Sequence, residues 1–366
     1  MLKKAVFPGK YIQGHGAITQ LPALIKLLGK RGLILASPSV RDRVLPQCDI
    51  DLTAEGIDTE LFRGECCEDE VTRLMASVSE KHVDVLVGMG GGKTIDTAKT
   101  AADRAGIPVI VVPTIASSDA PCSGCAVLYS KNGVFEAVHY QKTNPAAVLV
   151  DVDIIAAAPT RFLVAGMGDA LSTWFEARSC ERTRSKNECG GYSTTVGLHI
   201  AKLCYETLLK YGVTAKLANE RHLVTPALER VVEANILLSG LGFESAGLAA
   251  AHAIHNGLTA LTETHSFYHG EKVAFGVLAG LQLTDASPDE SEAVFSFCEA
   301  VGLPTTLADL GIDIASPEKL MTVAKMACAP GQSISHEAGT TSPEEVFSAM
   351  LAADAIGQAR RREPRN

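Results

Sequence analysis

Long apolar runs are missing from this chain. No stretch of its 366 residues reaches the roughly eighteen consecutive apolar side chains that a membrane-spanning helix needs. An excess of positive charge is missing as well. The net charge is −9, which argues against nucleic acid or an anionic membrane as a general partner. Aromatic residues make up 5% and tryptophan occurs once, so the core must be built from Ala, Val, Leu and Ile. The opening MLKKAVFPGK has no apolar run before Pro8, which argues against a signal peptide and for a cytoplasmic location. The ten cysteines lack the spacing of a metal or disulfide framework. Cys122-Ser-Gly-Cys125 stands alone as a CxxC, without a second pair or a suitably spaced His, and Cys66 and Cys67 are adjacent. Reduced thiols in a reducing compartment are the expectation. Internal repeats, low-complexity linkers and the two standard phosphate-loop fingerprints are absent too.

What is present is a chain of two textures. Gly32–Ala36, Val83–Gly88, Val109–Val112 and Val148–Asp151 are short apolar runs that read as buried strands, with Thr59–Phe62 a weaker one. Helical spacing separates them, as in Asp69–Lys81 with Val71, Leu74, Met75 and Val78 on one face. That alternation predicts a parallel sheet covered on both faces. After Pro159 the strands disappear. Helical patterns follow one another over 160–181, 193–209, 225–239, 246–260, 271–283, 289–301, 317–327 and 343–358. The expected division is an α/β domain over 1–159 and a helical domain over 160–366. The basic tail, Arg360 to Arg365, reads as a solvated end.

Three stretches carry chemistry. Residues 247–276, GLAAAHAIHNGLTALTETHSFYHGEKVAFG, hold four of the ten histidines, at 252, 255, 265 and 269. His252 and His255 are three apart and share a helix face. Two readings fit: a divalent metal site, or satisfied core histidines. The second stretch is the strand–GGGK–helix junction at 83–99. Its glycines let backbone approach a ligand, and the helix behind presents free N–H groups suited to a diphosphate. A tight β–α turn is the plain alternative. The third is Asp169, a carboxylate in the apolar run Val164–Leu171 near Trp174 and Phe175, which is unfavourable there unless paired, hydrogen-bonded or bound to a metal. Asp169 with His252 and His269 would give three O and N ligands and one open position, the composition of a catalytic zinc site. The loop 113–121, PTIASSDAP, leaves a strand's carboxyl end, where parallel sheets bind ligands.

The stretches PGKYIQG (8–14), GMGGGKTIDTAK (88–99), PTIASSDAPCS (113–123), AGMGDALSTWFEA (165–177), TPALERVVEAN (225–235), GLGFESAGLAAAHAIHNGLTA (240–260) and YHGEKVAFG (268–276) together resemble the iron-containing alcohol dehydrogenase superfamily, within it the glycerol dehydrogenases. Dehydroquinate synthase shares that fold. The resemblance implies an N-terminal Rossmann-like α/β domain with a parallel sheet and an all-α C-terminal domain. It places one zinc per subunit on Asp169, His252 and His269, which then also face the substrate. It puts the diphosphate of NAD on Gly91, Gly92, Lys93 and Thr94, and the nicotinamide side on Thr114, Ser117, Ser123, Cys125 and Tyr129. Asp119 falls where the family contacts substrate hydroxyls, and Phe243 would be an apolar wall. His255 becomes a nearby positioning or proton-relay group, so Asp119 and His255 are the candidate catalytic side chains. His265 would be peripheral.

Two departures stand out. Many relatives carry a fourth ligand, a His, four residues after the metal Asp, where this chain has Thr173. That favours zinc over ferrous iron. Members often hold the adenosine ribose with an Asp at the end of the first strand, where this chain has Ser37. Arg41 and Arg43 are the nearest cations for a 2′-phosphate. NAD remains the expected cofactor. The implied reaction is reversible oxidation of glycerol, a small polyol, to dihydroxyacetone. The rivals are a dehydrogenase for another small diol such as 1,2-propanediol, and a catalytically silent nucleotide-binding protein of the same fold. An enzyme like dehydroquinate synthase would need phosphate-binding Lys and Arg clusters that the chain lacks. Family habit implies a homo-oligomer, octamers among the possibilities.

Overall fold

The computed structural model describes residues 1–284, 286–313, 316–339 and 341–362. The chain forms two compact units. One comprises Val6–Phe162 with Ala218–Gly240, the other Met1–Ala5, Leu163–Leu217 and Leu241–Asn366. The sequence division at 159/160 differs in three places: residues 160–162 and a late helical segment group with the sheet, and the first five residues group with the helices.

The sheet unit is built on six parallel strands: β1 (Tyr11–Gly14), β2 (Gly32–Ala36), β3 (Asp58–Leu61), β4 (Val85–Gly90), β5 (Val109–Pro113) and β8 (Ala147–Asp151). Their order is β1-β8-β5-β4-β2-β3. The three central apolar runs and β8 are buried along their whole length, as strands covered on both faces must be. Ile34, Val87, Met89, Ile110, Val112 and Leu149 form one core with Leu21, Leu24 and Ile25 of α1 (Leu21–Leu28). Helices α2 (Glu68–Glu80) and α3 (Gly92–Ala105) precede and follow β4. The chain moves outward from β2 to β3, then returns across β2 to β4 and β5. That reversal makes the carboxyl ends of β2 and β4 the switch point, the usual ligand crevice of such sheets.

A feature unread in the sequence is the antiparallel hairpin of β6 (Cys125–Tyr129) and β7 (Phe135–Tyr140). Strand β7 is largely exposed, with Phe135 and Tyr140 outward, so no buried apolar run announces it. The unit is completed by α4 (Val152–Ala157), capped by the Asp151 side chain, and by α7 (Pro226–Glu233), started by Thr225 and Pro226.

The helical unit holds α5 (Thr160–Thr183) from Leu163 onward and most of α6 (Thr195–Asn219) and α8 (Ser239–Ala246). It also holds α9 (Ala250–Leu258), α10 (His269–Leu283), α11 (Pro288–Val301), α12 (Pro317–Ala327) and α13 (Pro343–Arg362). No single helix among the described residues is long and apolar enough to cross a membrane. The basic end of α13 is engaged rather than simply solvated. Arg360 pairs with Glu292 and Glu299, and Arg361 with Asp309, while Arg365 lies outside the described residues. No disulfide forms among the described residues.

Candidate functional site

Three helices of the helical unit converge through backbone contact. A Cβ added at Gly270 of α10 would lie 1.8 Å from the Ala165 carbonyl oxygen of α5, and one at Gly168 would lie 2.3 Å from the Gly270 oxygen. Gly276 of α10 similarly approaches the Ala251 oxygen of α9, at 2.4 Å. No side chain fits between these helices at those points. Asp169 therefore follows one contact residue on α5, His252 follows another on α9, and His269 precedes a third on α10.

The resulting cluster is compact. The Asp169 Oδ1 atom lies 3.0 Å from His269 Nε2 and 3.6 Å from His252 Nε2. One ligand atom from each of the three residues lies within 4.8 Å of the others. Tetrahedral coordination with bonds of about 2.0–2.1 Å has edges of roughly 3.3 Å, so these donors stand at coordinating separations. One hard oxygen and two imidazole nitrogens suit a divalent ion such as zinc. Side-chain exposure rises from 1% at Asp169 through 14% at His252 to 41% at His269, so the cluster opens to solvent beside His269.

Each imidazole is oriented through its other nitrogen. His252 Nδ1 lies 2.6 Å from Oε2 of Glu176, a buried carboxylate two turns beyond Asp169 on α5. That acceptor holds the proton on Nδ1 and leaves Nε2, which faces Asp169, as the nitrogen that a metal would take. Glu176 Oε1 also accepts the amides of Ala249 (2.8 Å) and His252 (2.9 Å). Helix α9 has no side-chain cap of its own. Glu176 supplies it, together with Glu337, whose Oε1 accepts the Ala250 amide. On the other side, His269 Nδ1 lies 3.0 Å from His255 Nε2, and His255 Nδ1 lies 3.1 Å from Asn256 Oδ1. With a metal on Nε2, His269 would donate from Nδ1 to His255 Nε2, and His255 from Nδ1 to Asn256 Oδ1.

Charges follow the geometry. Burial pushes the Asp169 carboxyl up, but the imidazoles of His269 and His252 outweigh it and hold it well below the carboxylate range. Burial likewise opposes the ionised Glu176, and the His252 imidazole more than offsets that. His255 is pushed well below the ordinary imidazole value by burial, then by His269 and Lys272. Thr173, four residues after Asp169, is buried with its methyl toward Gly242. His265 lies apart, exposed, its Nε2 at the Thr259 carbonyl. Phe243 is buried in α8.

The remaining expected residues lie in the sheet unit, most after the carboxyl ends of β2, β4 and β5, with Ser123 before the start of β6 and Cys125 and Tyr129 at its two ends. Gly91 caps α3 and Gly92 begins it, with Lys93 and Thr94 next. The Lys93 ammonium, however, is paired with Glu65 at 2.6 Å and lies over the Tyr129 ring. Its backbone N–H, rather than its charge, is what the helix start offers a phosphate. Thr114 follows β5 and donates its amide to the Gly90 carbonyl. Ser37 follows β2 and contacts Ser39. Arg41 is paired with its neighbour Asp42. Ser117 is half-buried in the loop after β5. Ser123 and Cys125 are drawn into hydrogen bonding around Lys99, a residue the sequence reading passed over. Lys99 is wholly buried, and its Nζ reaches Ser123 Oγ and the carbonyls of Ala120 and Cys125.

Known proteins place this arrangement. The profile of the iron-containing alcohol dehydrogenase family matches residues 8–152. A glycerol dehydrogenase of Thermotoga maritima is 51% identical, with 99% of each chain covered. The structure of a probable glycerol dehydrogenase from Sinorhizobium meliloti superposes with a TM-score of 0.91 at 48% identity, covering 98% of this chain and 99% of that one. A glycerol dehydrogenase structure from Schizosaccharomyces pombe gives 0.93 at 37% identity, covering 99% and 94%. The chain belongs to the iron-containing alcohol dehydrogenase family. The family is one of metal-dependent alcohol dehydrogenases. The profile match ends before Asp169, so in this family member the three-residue centre stands on its own geometry.

Proposed function

We propose that this chain is a zinc-dependent, NAD-linked dehydrogenase that oxidises glycerol at its central carbon to dihydroxyacetone and also runs the reverse reduction. The observation that carries the reading is the meeting of Asp169 Oδ1 with the Nε2 atoms of His252 and His269. Relatives of that activity, one 51% identical over nearly the whole chain, support the substrate. In balance, a hydride passes from C2 of glycerol to NAD⁺ and the hydroxyl proton is released, giving dihydroxyacetone, NADH and H⁺. A divalent metal, when bound, supplies Lewis acidity toward the alcohol oxygen.

The chain's own groups do the rest. Asp169, His252 and His269 hold one ion and leave an open position. Three ligands, with Thr173 in the fourth place, favour zinc over ferrous iron. His255 is a positioning residue for His269. It is a poor relay, because its outer nitrogen ends on the Asn256 amide, which does not pass a proton onward. Asp119 accepts a hydrogen bond from a terminal hydroxyl of glycerol and so selects a vicinal diol, with Phe243 an apolar wall. The free N–H groups from Gly91 to Thr94 bind the diphosphate. Thr114, Ser117, Ser123, Cys125 and Tyr129 lie toward the nicotinamide. Ser37 removes the carboxylate that usually repels a 2′-phosphate, but Arg41 is already paired with Asp42, which favours NAD over NADP.

The test is steady-state kinetics of the zinc-loaded protein with glycerol, 1,2-propanediol and glycerol 1-phosphate, each with NAD and NADP. Glycerol with NAD is expected to give the highest kcat/KM. Preference for the phosphorylated substrate, or no turnover of any diol, contradicts the reading.

A further inference from the structure

The helical segment 226–246 contains a π-helical turn, Ala234–Leu238, between α7 and α8. Such turns are rare and cluster at functional sites, because the extra residue re-aims the side chains around it. Here the residues beside it face the loop that follows β5. Asn235 and Ser239 are both wholly buried. Asn235 Nδ2 donates to the Ala116 carbonyl at 3.0 Å, and Ser239 Oγ donates to Asp119 Oδ2 at 2.8 Å. A Cβ at Gly240 would lie 2.9 Å from the Cys122 Cβ and 3.1 Å from the Asp119 carbonyl oxygen, so helix backbone rests directly on the loop. Lys99 anchors the loop again through the Ala120 carbonyl. The loop is thus held by two helices remote from each other in sequence, and one of the bonds ends on a carboxylate rather than on backbone.

We propose that Ser239 is a positioning residue that aims the Asp119 carboxylate and thereby sets the preference for a vicinal diol. The proposal rests on the reading of Asp119 as the acceptor of a substrate hydroxyl. A carboxylate left to turn about its own bonds binds a hydroxyl weakly, because each binding event must order it. A buried hydroxyl donor on a rigid helix removes that loss. It is neutral and adds no charge beside the carboxylate. A site built to bind a hydroxyl rejects analogues lacking one only when its acceptor is held in place.

A double-mutant cycle with the zinc-loaded enzyme tests this: Ser239→Ala, Asp119→Ala and both together, with glycerol and with 2-propanol, which lacks the neighbouring hydroxyls. Ser239→Ala is expected to lower kcat/KM for glycerol about tenfold, the size of a lost hydrogen bond to a charged group. Most of that should appear in KM for glycerol, with KM for NAD and bound zinc unchanged. In the Asp119→Ala background the same change should add nothing, because the two side chains act as one. Ser239→Thr, which keeps the hydroxyl, should restore the preference. Losses that multiply in the double variant, or a loss shared equally by KM for NAD, overturn the proposal. If the alanine variant does not fold, Ser239→Cys, close in size and a weaker donor, gives the same comparison. A silent Asp119→Ala overturns the reading of Asp119 itself, whereas a normal Asp119→Ala loss with a silent Ser239→Ala overturns only the role of Ser239.

Discussion

At Glu176 one buried carboxylate accepts two backbone amides of α9 and the Nδ1–H of His252. Replacing it with Gln keeps an oxygen for the amides but removes the anion behind the imidazole. Loss of such a partner typically weakens metal binding about 10–100-fold. Glu176→Gln is therefore expected to fold normally and to bind zinc or cobalt more weakly by that factor in a competitive titration. Unchanged affinity would show that His252 is oriented by other means. The three proposed ligands were legible in the sequence: Asp169 as a carboxylate in an apolar run, the histidines by their density among Ala and Leu. Glu176 left a fainter signal, since it lies seven residues after Asp169 and hence on the same face of the same apolar helix. Lys99 left none. It sits three residues after Asp96 as an ordinary surface pair would, and only the fold reveals both as buried.

The helices matter through their points of closest approach. The side-chain pattern marks the apolar faces of α5, α9 and α10, but Gly168 and Gly270 decide how near the backbones come. Those contacts stand next to Asp169 and His269, so the fold sets the separation of the ligand atoms before any metal enters. Gly270→Ala would place a methyl 1.8 Å from the Ala165 oxygen. Overpacking of this kind costs on the order of 1–3 kcal/mol. It should lower the urea midpoint and weaken zinc binding together. Retained stability with full zinc affinity would mean that the helices can part without disturbing the centre. The hairpin β6–β7 escaped the sequence reading because its second strand is solvent-facing and gives no buried run. The helix 226–233 is visible by periodicity within 225–239, whereas 239–246 falls in the gap between two expected helices, and periodicity does not say what a helix packs against. Placing 218–240 with the sheet needed the fold.

Across the whole molecule, acidic side chains outnumber basic ones, and many are engaged. Lys81, with Arg73, holds the Glu60 carboxyl below its ordinary value. Arg104 does so for Glu68, and Arg360 for Glu292. A carboxyl whose folded pKa is lowered binds fewer protons folded than unfolded between the two values. Its contribution is present above the unfolded value and is lost as pH falls through the folded one. Unfolded glutamates titrate near pH 4.3, so stability is expected to hold down to about pH 5 and to fall below about pH 4.5. Urea unfolding at a series of pH values checks this. Stability that rises on acidification below pH 4.5 would contradict it. Glu337, raised by burial, works in the opposite sense, as does Asp96, so the decline measures the balance of the whole set.

The most direct test of the metal-centred function joins metal content to turnover in one preparation. The purified protein is stripped with a chelator, titrated with zinc, and assayed for NADH formation from glycerol and NAD at each step, beside His252→Ala. The expected result is that activity disappears on stripping, returns in proportion to zinc and saturates at one ion per chain, while His252→Ala neither binds zinc nor turns over. Full activity in the stripped protein, or a His252→Ala variant that binds zinc at one per chain and oxidises glycerol, would contradict the assignment of the centre to Asp169, His252 and His269.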